Sequence, residues 1–199
     1  MRLRPVWIFA APLVLGACSG EPQTAETTKA EVVADASPPP AAEVPTSVQD
    51  SPALAVEAEG LRLFNKQSGS ARAIAFGTPR EDVLKLLAFR GNPETGQNGE
   101  CGAGPLDFAN WDDGLGLFFQ KGKFVGWNLN SRGQIAITTA SGIGVGSSRA
   151  DLEAAYAAEI SETSLGTEFA AGELFGILDG KDEAAKITNM WGGTTCNFR

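Results

Sequence analysis

The sequence predicts an α+β domain of two tandem units, each a helix followed by a small antiparallel sheet. Three observations predict it. A helix-start motif occurs twice, offset by 69 residues. Short alternating apolar runs, separated by turn residues, follow each copy. A change of composition near Leu61 sets these units apart from a polar, proline-rich stretch before them.

The first unit opens with Phe76-Gly-Thr-Pro-Arg-Glu-Asp-Val-Leu-Lys-Leu-Leu87 and the second with Val145-Gly-Ser-Ser-Arg-Ala-Asp-Leu-Glu-Ala-Ala-Tyr156. Gly77 aligns with Gly146, Thr78 with Ser147, Arg80 with Arg149 and Asp82 with Asp151. In the first copy Thr78 is the expected N-cap. Pro79 suits the first helical position, where no N–H is needed, and Glu81 completes a capping box. In the second copy Ser148 and Asp151 do the same one residue later. Acids at the start of a helix also complement its dipole. Gly91, followed by Asn92 and Pro93, ends the first helix.

Strands are expected after each helix. In the first unit they fall at about 104–111, 115–120 and 124–130, with Asp112-Asp113-Gly114 and Lys121-Gly122-Lys123 as the turns. A further strand at 134–139 leads into the second helix. In the second unit the expected strands are 164–169, 173–178 and 186–191. A helix laid on one face of such a sheet leaves the other face free.

Side-chain alternation suggests which face is free. Leu106, Phe108, Leu115, Leu117, Phe119, Val125, Trp127 and Leu129 read as the core face. Trp111, Phe118 and Phe124 then fall on the opposite face among small and polar residues. They are the expected protein-binding platform, since exposed aromatics among small residues are typical anchors. Trp191 shares parity with Ile187 and reads as core.

Two helix-and-sheet units, each opened by Gly-(Ser/Thr)-x-Arg-x-x-apolar, resemble the β-lactamase-inhibitor-protein fold. A single unit is similar to the small lipoprotein of the outer-membrane β-barrel assembly machine, the SmpA/OmlA type. The resemblance covers about residues 70–199 and rests on Gly77, Thr78, Arg80, Gly146, Ser147 and Arg149. It implies binding to other proteins, without chemistry.

The N-terminus carries a different message. Arg2 and Arg4 precede a short apolar run from Val6 to Leu15, too short for a spanning helix, which needs roughly 20 apolar residues. Charge, apolar core and small residues form a secretory signal. Leu15-Gly16-Ala17-Cys18 resembles the lipobox of bacterial lipoproteins, in which the cysteine takes a diacylglycerol and becomes the new N-terminus. Residues 1–17 are therefore read as signal and Cys18 as the lipidation site. Ser19, in place of an Asp, points to the outer membrane facing the periplasm. Residues 18–60 read as a disordered spacer, with six of the eleven prolines and no aromatic residue. Residues 61–199 are the folded part, with repeats at about 70–139 and 140–199. Most of the net charge of −8 resides in the spacer, and no basic patch suggests nucleic acid.

With Cys18 lipidated, Cys101 and Cys196 remain, and an exported domain with two cysteines most simply pairs them. Closing that loop stabilises the fold by roughly 4–5 kcal/mol in the chain-entropy view. The chain has no histidine, which removes Ser-His-Asp and Cys-His catalysis and the usual zinc sites. Asp112-Asp113 and Asp182-Glu183 read as solvated turns. Gly142-x-Gly144-x-Gly146 superficially resembles a dinucleotide fingerprint, but the third glycine is out of place. No metal and no cofactor is expected. The sequence thus points to a non-enzymatic envelope lipoprotein held to the membrane by its lipid. Its partner is expected to be another envelope protein, bound either as by an adaptor in envelope assembly or as by an inhibitor of an envelope hydrolase.

Overall fold

The computed structural model describes residues 51–133 and 136–196. Cys18, the signal and most of the spacer lie outside these residues. Eleven strands and two seven-residue α-helices make up the described fold, with one short 3-10 turn. The helices are α1 (Arg80–Leu86) and α2 (Arg149–Ala155).

The expected α+β architecture of two units with separate small sheets is overturned. The fold is mostly β, in two antiparallel sheets. Strands β1 (Ala53–Glu57), β2 (Gly60–Phe64) and β3 (Ala71–Ala75) form a meander of their own. The first of these lies in the stretch read as spacer. The other eight strands form one continuous sheet. These are β4 (Glu94–Asn98), β5 (Leu106–Asn110), β6 (Leu115–Gln120), β7 (Lys123–Asn130), β8 (Glu159–Thr163), β9 (Gly166–Ala171), β10 (Leu174–Leu178) and β11 (Ile187–Gly193). Their spatial order is β4-β5-β6-β7-β11-β10-β9-β8. The strands after each helix do not close small sheets, because β7 and β11 pair with each other from Gly126↔Gly193 to Asn130↔Asn189. No strand forms at 136–139, where Thr138 makes only isolated bridges to Ala55 and Gly144.

The two copies of the helix-start motif dock in the same way. Gly77 N–H donates to the Phe124 carbonyl at 2.7 Å, and Gly146 N–H donates to the Ile187 carbonyl at 2.8 Å. Phe124 N–H and Ile187 N–H return to the Thr78 and Ser147 carbonyls, both at 2.9 Å. Arg80 and Arg149 N–H donate to Gly122 and Ala185. Both glycines have φ near +90°, a conformation that side chains resist. So Gly-(Ser/Thr)-x-Arg is a backbone clasp that fixes a helix start to the last strand of its half.

The side-chain caps differ. Ser148 and Asp151 form the expected capping box, and Ser148 holds the Asp151 carboxyl below the usual carboxylate range through its hydrogen bonds. Around α1 the expected box does not form. Pro79 is the N-cap and no side chain caps the helix. Thr78 Oγ1 instead donates backwards to the Ala75 carbonyl at 2.7 Å.

The core lies on one face of the long sheet. Leu117, Phe119, Phe124, Trp127, Leu129 and Met190 are fully buried there. They pack in one cluster with Val56, Leu61 and Ile74 of the small sheet and with Val83 and Leu152 of the helices. Burying a large apolar side chain contributes about 1.5–3 kcal/mol, so this cluster carries the stability. Trp127 Nε1–H also donates to the Glu57 carbonyl at 2.8 Å and ties the two sheets together.

Candidate functional site

The second face of the long sheet is the candidate site, and its occupants are mostly not those the alternation suggested. Of the expected aromatics, only Phe118 stands on it. Phe118 pairs with Gly126, and the next residue, Phe119, pairs with Phe124. Val125 is therefore an extra residue in β7. Such a bulge reverses side-chain parity and turns Phe124 into the core beside Phe119 and Phe76. Trp111 shares the parity of Ala109, which pairs with core Leu117. It is 8% exposed, belongs to the core cluster, and donates its indole N–H to the Gly91 carbonyl at 3.2 Å. Phe108, read as core, pairs with Phe118 and shares its face.

Trp191 is buried as expected, at 6% exposure, but on the other face of the sheet: it pairs with Asn128 and Phe175, opposite Met190. A register shift between Ile177 and Leu178 separates its parity from that of Ile187. Trp191 stacks on Phe175 with ring centroids 6.3 Å apart and planes at 19°.

One row crosses the middle of this face through paired residues: Asn110, Gly116, Asn128, Trp191 and Phe175. Asn130 and Asn189 pair beside it. Asparagine is depleted in strands because its short amide competes with the backbone. Four on three strands of one face, β5, β7 and β11, depart from local preference, and such departures tend to mark function. Glycine makes room for them. A Cβ on Gly116 would lie 2.1 Å from Asn128 Oδ1 and 2.8 Å from Asn110 Oδ1, so both amides lean over this residue. On β4, Phe108 lies across Gly96 in the same manner.

The result is an open cleft of about 520 Å³. Its lining combines Asn110, Asn128, Asn130 and Asn189 with the rings of Phe108 and Phe118. Glu94, Asp112 and Arg132 bring two carboxylates and one guanidinium to it, and Trp111 reaches one end. Asn130 Oδ1 accepts the Arg132 N–H at 3.0 Å. Asn128 Oδ1 is buried and has no hydrogen-bond partner. An acceptor left in that condition costs about 1–3 kcal/mol.

The C-terminal segment crosses the same face beyond Phe118. Thr194 N–H donates to the carbonyl of the bulged Val125 at 2.8 Å, and the Thr194 backbone occupies the space above Gly126. The segment brings Cys196 to Cys101. Asn98 Nδ2 donates to Cys196 Sγ at 3.3 Å, and the Cys101 thiol faces the Thr195 carbonyl at 3.9 Å. Both cysteines are free thiols here. Burial, and then the neighbouring Cys101 thiol, push the Cys196 thiol up to about 11. A thiol so raised is a poor nucleophile at neutral pH.

The glycine-rich turn has its amides committed. Gly142 N–H donates to the Thr139 carbonyl, Gly144 N–H to Ser147 Oγ, and Gly146 N–H to the Ile187 carbonyl. No cradle for a phosphate remains there. Among the described residues, no group of three or more Cys, Asp or Glu side chains is placed to hold a metal ion. No described helix is long and apolar enough to cross a membrane.

No protein family, no curated protein and no solved structure matches this chain.

Proposed function

We propose that this chain is a non-enzymatic envelope lipoprotein, acylated at Cys18, that works by binding a partner on the free face of its long sheet. The observation that carries the reading is the pair of amides over Gly116, in a cleft also lined by Asn130, Asn189, Phe108 and Phe118. That face is recessed, mixes amides and rings with two carboxylates and one guanidinium, and carries asparagines that strands otherwise disfavour. Rigid strands hold such groups more precisely than loops do. The lack of histidine in the whole chain supports a role without acid–base chemistry.

A photo-crosslinking residue at Phe118 tests the binding reading, in the full-length chain in cells, with Leu165 as the control. Leu165 is exposed at 40% and sits in the turn between β8 and β9. Adducts from Phe118 alone are expected. Equal labelling from both positions would remove the case for this face. An adaptor would yield an envelope assembly component and an inhibitor a hydrolase. Anchoring has its own test: Cys18→Ala should move the chain from the membrane fraction to the soluble one.

We further propose that Cys101 and Cys196 form a disulfide once the chain is exported. Their adjacency supports it, and the bridge would pin the C-terminal segment across β7. Alkylation without reductant should leave both thiols unmodified; full labelling of the exported chain would rule the bridge out.

A further inference from the structure

Resting on the proposal that the free face is the binding surface, we infer that its cleft takes a neutral pyranose oligosaccharide. The charge balance is the first argument. Two carboxylates and one guanidinium reach the cleft, a local excess of one negative charge. That combination repels phosphate, sulfate and anionic polymers, and a single added carboxylate is too little to select a cation. An uncharged ligand fits.

Hydrogen-bonding capacity is the second argument. Each carboxamide offers two donors and one acceptor oxygen, which matches sugar hydroxyls and acetamido groups that also donate and accept. Asn128 Oδ1 is an acceptor without a partner. Asn110 and Asn128 lean over Gly116, and the terminal torsion of asparagine is soft enough to turn both amides into the cleft.

Shape and apolar surface are the third. Within the cleft the row from Asn110 to Asn189 crosses three strand spacings, roughly 14 Å at about 4.8 Å each, the reach of a trisaccharide. Phe108 and Phe118 bring ring surface to one side of that row, where the C–H face of a pyranose can pack. Protein docking calls for several exposed aromatic anchors at the centre of a patch. Trp111 and Phe124, which would have supplied them, are largely or wholly buried.

The test uses the full-length chain in detergent micelles, labelled with ¹⁵N, and two neutral β-1,4-linked probes, cellotriose and triacetylchitotriose. Saturable shifts are expected in the side-chain amide signals of Asn110, Asn128, Asn130 and Asn189, with at least one probe bound at a Kd on the order of 1 mM or tighter. Asn128→Ala should weaken binding at least tenfold and leave the melting temperature unchanged or higher. A structural asparagine would show the reverse, with lower melting and unchanged binding. Absence of shifts from both probes at about 20 mM overturns the saccharide assignment. If Phe118 then still crosslinks to one protein, the binding face stands and its ligand is a protein. If neither sugar nor crosslink is found, both proposals fail.

Discussion

The two faces of the long sheet share every backbone hydrogen bond yet follow opposite rules. The core face is continuous and apolar, and Leu117, Phe119, Trp127 and Met190 leave no surface to solvent. The other face places amides where strands disfavour them, supports them on glycine, and leaves the Asn128 oxygen unpaired. One face is optimised for stability. The other gives some stability up, which is the usual mark of a surface kept for recognition.

Replacing one aromatic on each face sharpens that contrast most. Phe124→Ser empties a fully buried site and is expected to cost about 3–5 kcal/mol, read from urea unfolding. Phe118→Ser, on the other face, should cost no more than about 1 kcal/mol. Similar losses for both would dissolve the distinction between the faces.

A second pair compares two glycines of the free face. A Cβ on Gly126 would lie 2.0 Å from the Thr194 carbonyl oxygen, which cannot move without moving the backbone. Gly126→Ala should therefore cost about 1–3 kcal/mol and expose Cys196 to alkylation in the reduced chain. Gly116→Ala would meet only the ends of two asparagine side chains, which can swing away. Its expected cost is below about 1 kcal/mol, yet it should displace the amides of Asn110 and Asn128 and shift their NMR signals. A large loss of stability from Gly116→Ala would make those asparagines structural.

The smallest effect concerns pH. In the reduced chain the Cys196 thiol is raised from an ordinary value of 9.0 to about 11, so folding favours the neutral thiol. Its contribution is complete below pH 9 and is lost as the pH rises toward 11. Melting curves of the reduced chain should decline modestly across that window, and those of an oxidised chain should not. Identical alkaline profiles for the two would show that the thiols are not neighbours in the folded chain.

Part of this was legible along the chain. Strand β6 reads correctly because Leu115, Leu117 and Phe119 alternate cleanly with Gly116, Phe118 and Gln120. Strand β5 misleads because Leu106, Phe108, Ala109 and Trp111 are all apolar, so alternation gives no choice of face. Strand β7 misleads because the bulge at Val125 reverses its parity, and Gly126 beside it, a residue that often marks a bulge within a strand, does not by itself fix where the extra residue falls. The whole small sheet, β4 and β8 were not expected, and β1 reads as spacer because its Ala53–Glu57 stretch has the alanine-rich composition of the residues beside it.

The sequence by itself determined the local events: the two helix starts, the Ser148 cap, the main turns, and six of the eleven described strands to within a few residues. These depend on neighbours within one or two turns of chain, and residue type records them directly. Only the tertiary structure decided that two sets of strands share one sheet, that Phe124 is core, and that four asparagines line one cleft. Those outcomes depend on pairings such as Asn128↔Trp191, between segments far apart along the chain. Their register is set by packing of the whole core, a sum over many contacts that no single stretch of sequence contains.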